Sequence, residues 1–235
     1  MRILATSGGL RRDDRDQLHP SPLLARALQL TGAERPRLCF LLTAGGDDPA
    51  WTGRIYAAFA GWSVDVSHLA VFPMPNLADP RAHLLAQDVI WVGGGSVANL
   101  LALWRLHGLD AVFREAWTAG VVLTGVSAGS ICWHVGGTTD SFGPDLRPVT
   151  DGLGLLPYGN GVHYDSEERR RPLLHGLVAD GTLPLSYATD DGVGLYYEGT
   201  ELVEAVADRP GAGAYVVERR GGQAVETRIE PRQLP

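Results

Sequence analysis

The residues best suited to chemistry are a serine in a glycine turn, one downstream histidine and three aspartates. In VVLTGVSAGSICWH, residues 121 to 134, a β-branched apolar run leads into Gly125-Val126-Ser127-Ala128-Gly129. A Gly-x-Ser-x-Gly turn after a buried strand holds its serine on a strained strand-to-helix corner. The hydroxyl is exposed there, and the helix N-terminus behind it favours negative charge. Serine also serves as a helix N-cap, but the apolar strand and the small flanking residues favour a nucleophile. Such a hydroxyl needs a base. The 20 basic residues of the chain are all arginine, which excludes a Ser-Lys dyad, a Schiff-base lysine and a Walker-A lysine. Histidine or a carboxylate remains.

Seven histidines are available. His19, His68, His83 and His107 fall in a loop, a strand or helical segments of the N-terminal half. His134 is expected about two turns along the helix after Ser127, directed away from a crevice at its start. His175 sits in the helical PLLHGL as a packing position. His163, in GNGVHYDS after a glycine-rich stretch, is left as the base. An imidazole base needs an acceptor to fix its tautomer and stabilise its charged form. Asp190 and Asp191 in YATDDGVGL are candidates, and Asp140 in GGTTDSFG is another; the spacing leaves all three open. WVGGGS, residues 91 to 96, permits close backbone approach and could aim N–H groups at an oxyanion. Read alone it is a tight turn into a helix, and neither G-x-G-x-x-G nor G-K-[ST] is present to hold a nucleotide.

Apolar runs bounded by Gly, Pro and Asp supply the elements that would position these groups. Strands are predicted over Arg2 to Ala5, Leu38 to Leu42, Val64 to His68, Val89 to Val92 and Val121 to Gly125. SPLLARALQLTG, WTGRIYAAFAGW, VANLLALWRLHG and LDAVFREAWTAG between them have helical period and end in or near glycine. The alternation predicts an α/β fold, a doubly wound, mainly parallel sheet flanked by helices, with its ligand crevice at the carboxyl ends of the strands. Residues 138 to 163 read as loops and short strands at an active-site rim. PLLHGLVADG reads as a helix, and LYYEG, AYVVERRGG and AVETRIE as antiparallel strands closing one side. One domain is expected over residues 1–235.

Hydrophobic content of 45% with 20% charged residues describes an ordinary globular chain. The net charge of −7 disfavours nucleic acid as a partner. Arg169 to Arg171, preceded by Glu167 and Glu168, read as a solvated, ion-paired helix face. No apolar run reaches the roughly 18 residues a membrane span needs, and the N-terminus lacks signal-peptide features. Two cysteines, Cys39 and Cys132, do not make a disulfide framework, so a cytoplasmic location is expected. Metal-site spacing is absent, and no metal or cofactor is implied.

Together these motifs resemble the peptidase E group of serine peptidases, aspartyl dipeptidases and cyanophycinases, whose fold is similar to class I glutamine amidotransferases. The likeness runs over nearly the whole chain. It rests on WVGGGS followed by Asn99-Leu100-Leu101, the elbow TGVSAGS, GLGLLPYGNGVH, a Ser-Glu-Glu-Arg segment and an Asp-Asp-Gly turn. The resemblance implies Ser127 as nucleophile and His163 as general base and acid. It places Asp191 where the family usually has glutamate, Asp190 just before it, and Asp140 at another acidic position. It further implies an oxyanion hole from the N–H of Ala128 with that of Gly94 or Gly95. Aspartyl dipeptidases carry an arginine, just before the E-x-x-R segment, that pairs with the substrate aspartate. Ser166 stands there, and Arg169 matches only the second arginine, so strict selection for N-terminal aspartate does not carry over. The expected partner is a short peptide; an aspartyl dipeptidase proper, cyanophycinase-like hydrolysis and a non-catalytic binding role are the rival readings, and monomer and homodimer are both open.

Overall fold

The computed structural model describes residues 1–235. Strand β1 (Arg2–Thr6) is followed by a small hairpin, β2 (Leu10–Arg12) and β3 (Leu18–Pro20), and by α1 (Pro22–Gln29). Next come β4 (Arg37–Leu41), α2 (Pro49–Ala58), β5 (Asp65–His68), α3 (Pro80–Leu85), β6 (Val89–Val92), α4 (Val97–Leu106), α5 (Leu109–Thr118) and β7 (Val122–Val126). The second half contains α6 (Ala128–Ile131), β8 (His134–Thr139), β9 (Arg147–Val149), β10 (Leu156–Gly161), α7 (Arg170–Asp180) and β11 (Ser186–Thr189). It ends with β12 (Val193–Glu198), β13 (Glu201–Ala207), β14 (Ala214–Arg220), β15 (Gln223–Ile229) and β16 (Arg232–Gln233).

The larger sheet has the order β16-β13-β12-β1-β7-β6-β4-β5. The five strands predicted from apolar runs, β1, β7, β6, β4 and β5, are all mutually parallel. Alternate residues face opposite layers, as the period of two requires. Leu38, Phe40, Val89 and Trp91 pack with Leu23, Leu24, Ile55 and Phe59 of the α1 and α2 side. Cys39, Leu41, Ile90 and Val92 pack with Leu84, Leu100, Trp104 and Phe113 of the α3, α4 and α5 side. Helices thus cover both faces. The chain leaves β4 towards β5 on one side and β6 towards β7 on the other, so the β4/β6 boundary is the switch point of the sheet. Capping side chains set the helix starts. Ser21 accepts from Leu23 N–H, Asp48 from Ala50 and Trp51, and Ser96 from Asn99.

The C-terminal half departs from the sequence expectation. A second sheet of order β15-β14-β11-β10-β8-β9 is built around three parallel strands, β8, β10 and β11. Residues 138 to 163, expected as loops and short strands, contribute two of its strands. The antiparallel strands divide: β12 and β13 extend the larger sheet, and the β14–β15 hairpin extends the smaller one. Its turn, Gly221-Gly222, has φ of 58° and 82°, the left-handed pair a two-residue hairpin demands. The helix after Ser127 is a single turn, and His134 opens β8 instead of lying along that helix. One apolar cluster joins both sheets: Ile3 and Leu123 share it with Leu156, Val162 and Trp133. No helix is long and apolar enough to cross a membrane.

Candidate active site

Ser127 follows β7 directly, with φ 59° and ψ −114°. Only four non-glycine residues have positive φ, and Ser127 and His163 are two of them. Such strain is retained where surrounding structure enforces it. Here the enforcing contacts are backbone to backbone. A Cβ on Gly125 would sit 2.3 Å from the Gly129 carbonyl oxygen, and one on Gly129 would sit 2.2 Å from that of Val92. Strand β7, the turn of α6 and the end of β6 therefore cross too closely for any other residue. The elbow is anchored by its own N–H, which donates to the Thr6 carbonyl at 3.1 Å. The Ser127 hydroxyl makes no capping hydrogen bond, which leaves it free to react.

Of the expected oxyanion donors, Gly94 lies against this serine and Ala128 follows it in the chain. A Cβ on Gly94 would lie 3.2 Å from Ser127 Cβ, so the glycine backbone lies directly against the side chain. Gly95, at φ +133°, is held by the Ala44 carbonyl, 2.3 Å from where its Cβ would be. The N–H groups of Gly94, Gly95 and Ala128 donate to no carbonyl of the chain, whereas Gly93 N–H is tied to Leu41 at 2.9 Å. Unspent donors at a helix N-terminus can receive developing negative charge.

His163 comes two residues after β10, and its N–H donates to Ser7 Oγ at 3.2 Å. Its Nδ1 lies 2.5 Å from Asp191 Oδ1. With a carboxylate as acceptor Nδ1 carries a proton, so in the neutral imidazole the lone pair is on Nε2, which has no hydrogen-bond partner within the chain. Asp191 is fixed in turn by its N–H, which donates to Asp165 Oδ1 at 2.9 Å, and Asp165 is paired with the Arg209 guanidinium. Burial raises the Asp165 carboxyl; the Asp191 N–H and Arg209 outweigh it and hold that carboxyl below its usual range.

The other candidates lie elsewhere. Asp190 points to the opposite side of the turn from Asp191 and is 5% exposed. It accepts from Gly213 N–H at 2.8 Å and from the Tyr215 hydroxyl at 3.2 Å, and burial pushes its carboxyl up. It anchors the turn and does not meet His163. Asp140 is exposed beyond β8 and makes no side-chain hydrogen bond with the histidine. Ser166 is exposed, and Arg169 is engaged with the Pro144 carbonyl at 2.6 Å and Asp145 at 3.2 Å. Neither borders the cavity beside Gly94 and His163.

That cavity, of about 570 Å3, opens at the carboxyl ends of β1, β4, β6 and β7. Ser7, Trp91, Gly94, Val126, His163 and Asp191 are among its walls. Ser7 escaped the sequence reading, where it is one of many small residues; the available signal was a strand ending in Ser-Gly-Gly. Both cysteines are buried, and burial pushes Cys39 up to about 12 and Cys132 well above the usual thiol range. Cys132 Sγ is turned to the Gly129 carbonyl. No group of three or more His, Cys, Asp or Glu is placed to hold a metal ion.

The family model of peptidase family S51 matches residues 3–205. The chain belongs to peptidase family S51. As an S51 peptidase it is a hydrolase of the serine type, acting on peptides. It is 42% identical over 215 residues to YgaJ, an uncharacterized peptidase of Bacillus subtilis (strain 168), covering 92% of this chain and 91% of that one. Peptidase E of Shewanella denitrificans (strain OS217) is 32% identical over 133 residues, 53% of this chain and 56% of that protein. A crystal structure of a peptidase from an acI-B1 Actinobacterium superposes with TM-score 0.68 at 14% identity, covering 98% of this chain and 94% of that one. At that identity the likeness speaks for fold alone, and the S51 chain has the class I glutamine amidotransferase-like α/β fold.

Proposed function

We propose that residues 1–235 form one serine exopeptidase unit of dipeptidase type, working through an acyl-enzyme on Ser127. The observation that carries the reading is the 2.5 Å contact of His163 Nδ1 with Asp191 in the cavity that Gly94 also borders, with the uncommitted elbow serine lying against Gly94. In this reaction Ser127 Oγ attacks the scissile carbonyl carbon while His163 Nε2 takes its proton. Charge moves to the carbonyl oxygen, which the N–H groups of Ala128 and Gly94 receive, with Gly95 the alternative donor. The imidazolium is stabilised by Asp191. It passes the proton to the leaving amine, the C–N bond breaks, and the acyl group stays on Ser127. A water then attacks the ester with His163 again as base, releasing the acid and restoring the serine. The cavity of about 570 Å3 suits one or two residues of substrate and supports a short peptide.

The test uses two reagents and one variant. An organophosphonate should label Ser127 and abolish hydrolysis of short peptides, Ser127→Ala should lower kcat by at least about a thousandfold, and iodoacetamide should leave activity intact because both thiols are buried. Wild-type rates from pure Ser127→Ala protein would overturn the mechanism.

A further inference from the structure

The walls of the cavity beside Gly94 and His163 select for charge. Trp91, Ile55 and Leu42 supply apolar surface, and Trp51, 41% exposed, stands at the outer side. Apart from Asp191, which is engaged with the histidine, the one carboxylate is Asp48. No arginine borders the cavity, and the chain has no lysine. An aspartyl side chain entering here would meet carboxylates and no fixed cation, an arrangement that rejects it.

A helix N-terminus ordinarily favours anions, but that of α2 is already spent. Asp48 Oδ1 accepts from Ala50 N–H at 2.7 Å and from Trp51 N–H at 3.2 Å. Pro49 has no N–H, and Thr52 N–H donates to the Asp48 carbonyl at 2.9 Å. Asp48 Oδ2 has no partner within the chain. Asp48 is the N-cap of α2 and Trp51 its third residue, and both border the cavity. A carboxylate next to an aromatic face attracts ammonium and guanidinium groups by charge and by the ring quadrupole. The Trp51 ring already takes one cation: Arg54 lies over it at 5.4 Å, bordering a different cavity with Arg12 and His19.

Building on the peptidase reading of Ser127, the geometry points to a subsite in which Asp48 and Trp51 receive a cationic nitrogen on an apolar stem, from a basic side chain or from the free α-ammonium of the first residue. Binding is measured on Ser127→Ala protein by indole fluorescence, with lysyl-leucine, norleucyl-leucine, N-acetyl-lysyl-leucine and aspartyl-leucine. Lysyl against norleucyl isolates the side-chain charge; free against acetylated isolates the α-ammonium. At least one contrast should favour the cation by roughly five- to tenfold, with the aspartyl peptide weakest. Adding Asp48→Asn, which keeps the helix cap, should shrink that contrast to within about twofold, and Asp48→Ser should do the same.

The subsite is overturned if neither contrast appears, if the contrast survives either substitution, or if the aspartyl peptide binds tightest, with loss of that preference in Arg54→Met then assigning it to the Arg54 guanidinium. Binding does not depend on turnover, so the two readings fail separately. Absence of wild-type hydrolysis and of phosphonate labelling removes the peptidase reading and leaves the dissociation constants to decide the subsite.

Discussion

Replacing Asp191 by asparagine isolates the carboxylate that the structure pairs with His163. Oδ1 lies 2.5 Å from His163 Nδ1, with the two side chains 36% and 23% exposed. When the imidazole takes the serine proton, a full ion pair forms. Two unit charges about 4 Å apart in a partly solvated site of effective dielectric near 20 attract by about 4 kcal/mol. Asparagine loses that attraction and can also present its NH2 to Nδ1, leaving the lone pair there and the proton on Nε2. Together these effects predict a fall in kcat of about a thousandfold, with KM changed little, because the charge exists only after proton transfer. The assay is steady-state hydrolysis of a short peptide beside Asp140→Asn, which should remain within about twofold of wild type because Asp140 is exposed and makes no hydrogen bond with His163. A loss of less than about tenfold in Asp191→Asn, or a large loss confined to Asp140→Asn, would refute the assignment.

Three further outcomes follow from the packing around the serine and behind it. Gly129→Ala drives a Cβ to 2.2 Å from the Val92 carbonyl and should abolish soluble folded protein. Gly94→Ala, whose Cβ meets Ser127 Cβ at 3.2 Å, should keep its thermal midpoint while kcat falls by about tenfold or more; circular dichroism melts read beside kinetics separate the two. His134 is fully buried, and burial lowers its pKa from 6.5 to about 4. The unfolded chain therefore binds a proton that the folded chain refuses. Stability from this group is complete above pH 6.5 and declines as pH drops towards 4, by about 3 kcal/mol in all. Urea midpoints between pH of about 7 and about 4.5 should fall less in His134→Phe than in wild type; equal falls would show that His134 is protonated without cost.

Half of the fold was legible because buried parallel strands are read as apolar runs. RILAT, RLCFL, VIWV and VLTGV are covered on both faces, and their pattern needs no partner to be seen. The smaller sheet was hidden by glycine. In β8, a Cβ on Gly136 would come within 2.0 Å of the Val149 carbonyl, and one on Gly137 within 2.2 Å of the Asn160 carbonyl. Those glycines permit close passage of neighbouring strands, yet in a sequence they look like turns. Likewise Ile131, Cys132 and Trp133 are apolar because they fill the core beneath the elbow, where Trp133 lies 5.6 Å from Phe113 and 6.0 Å from Trp104. Apolar character there was mistaken for helical continuation. At the site, residue types pointed to Ser127 and His163 and the resemblance to Asp191, and the side-chain directions at the 189–192 turn bring Asp191, not Asp190, to the imidazole.

The three groups of the proposed triad come from different parts of the chain, and the end of β1 is where they are joined. Ser127 N–H is held by Thr6, and His163 N–H by Ser7 Oγ. Ser7 Oγ also lies 2.7 Å from Thr189 Oγ1, and the Ser7 carbonyl accepts from Gly192 N–H at 3.0 Å. Thr189 and Gly192 bracket Asp190 and Asp191. The elbow belongs to the larger sheet, the histidine follows the smaller one, and the aspartate turn runs from β11 of the smaller sheet into β12 of the larger. The relative placement of nucleophile, base and acid is therefore set by how the two sheets meet. That explains why strain is tolerated at both Ser127 and His163: each has its backbone N–H bound to the same strand end, and relaxing either φ would break a hydrogen bond in a partly buried site, where an unmade bond is costly.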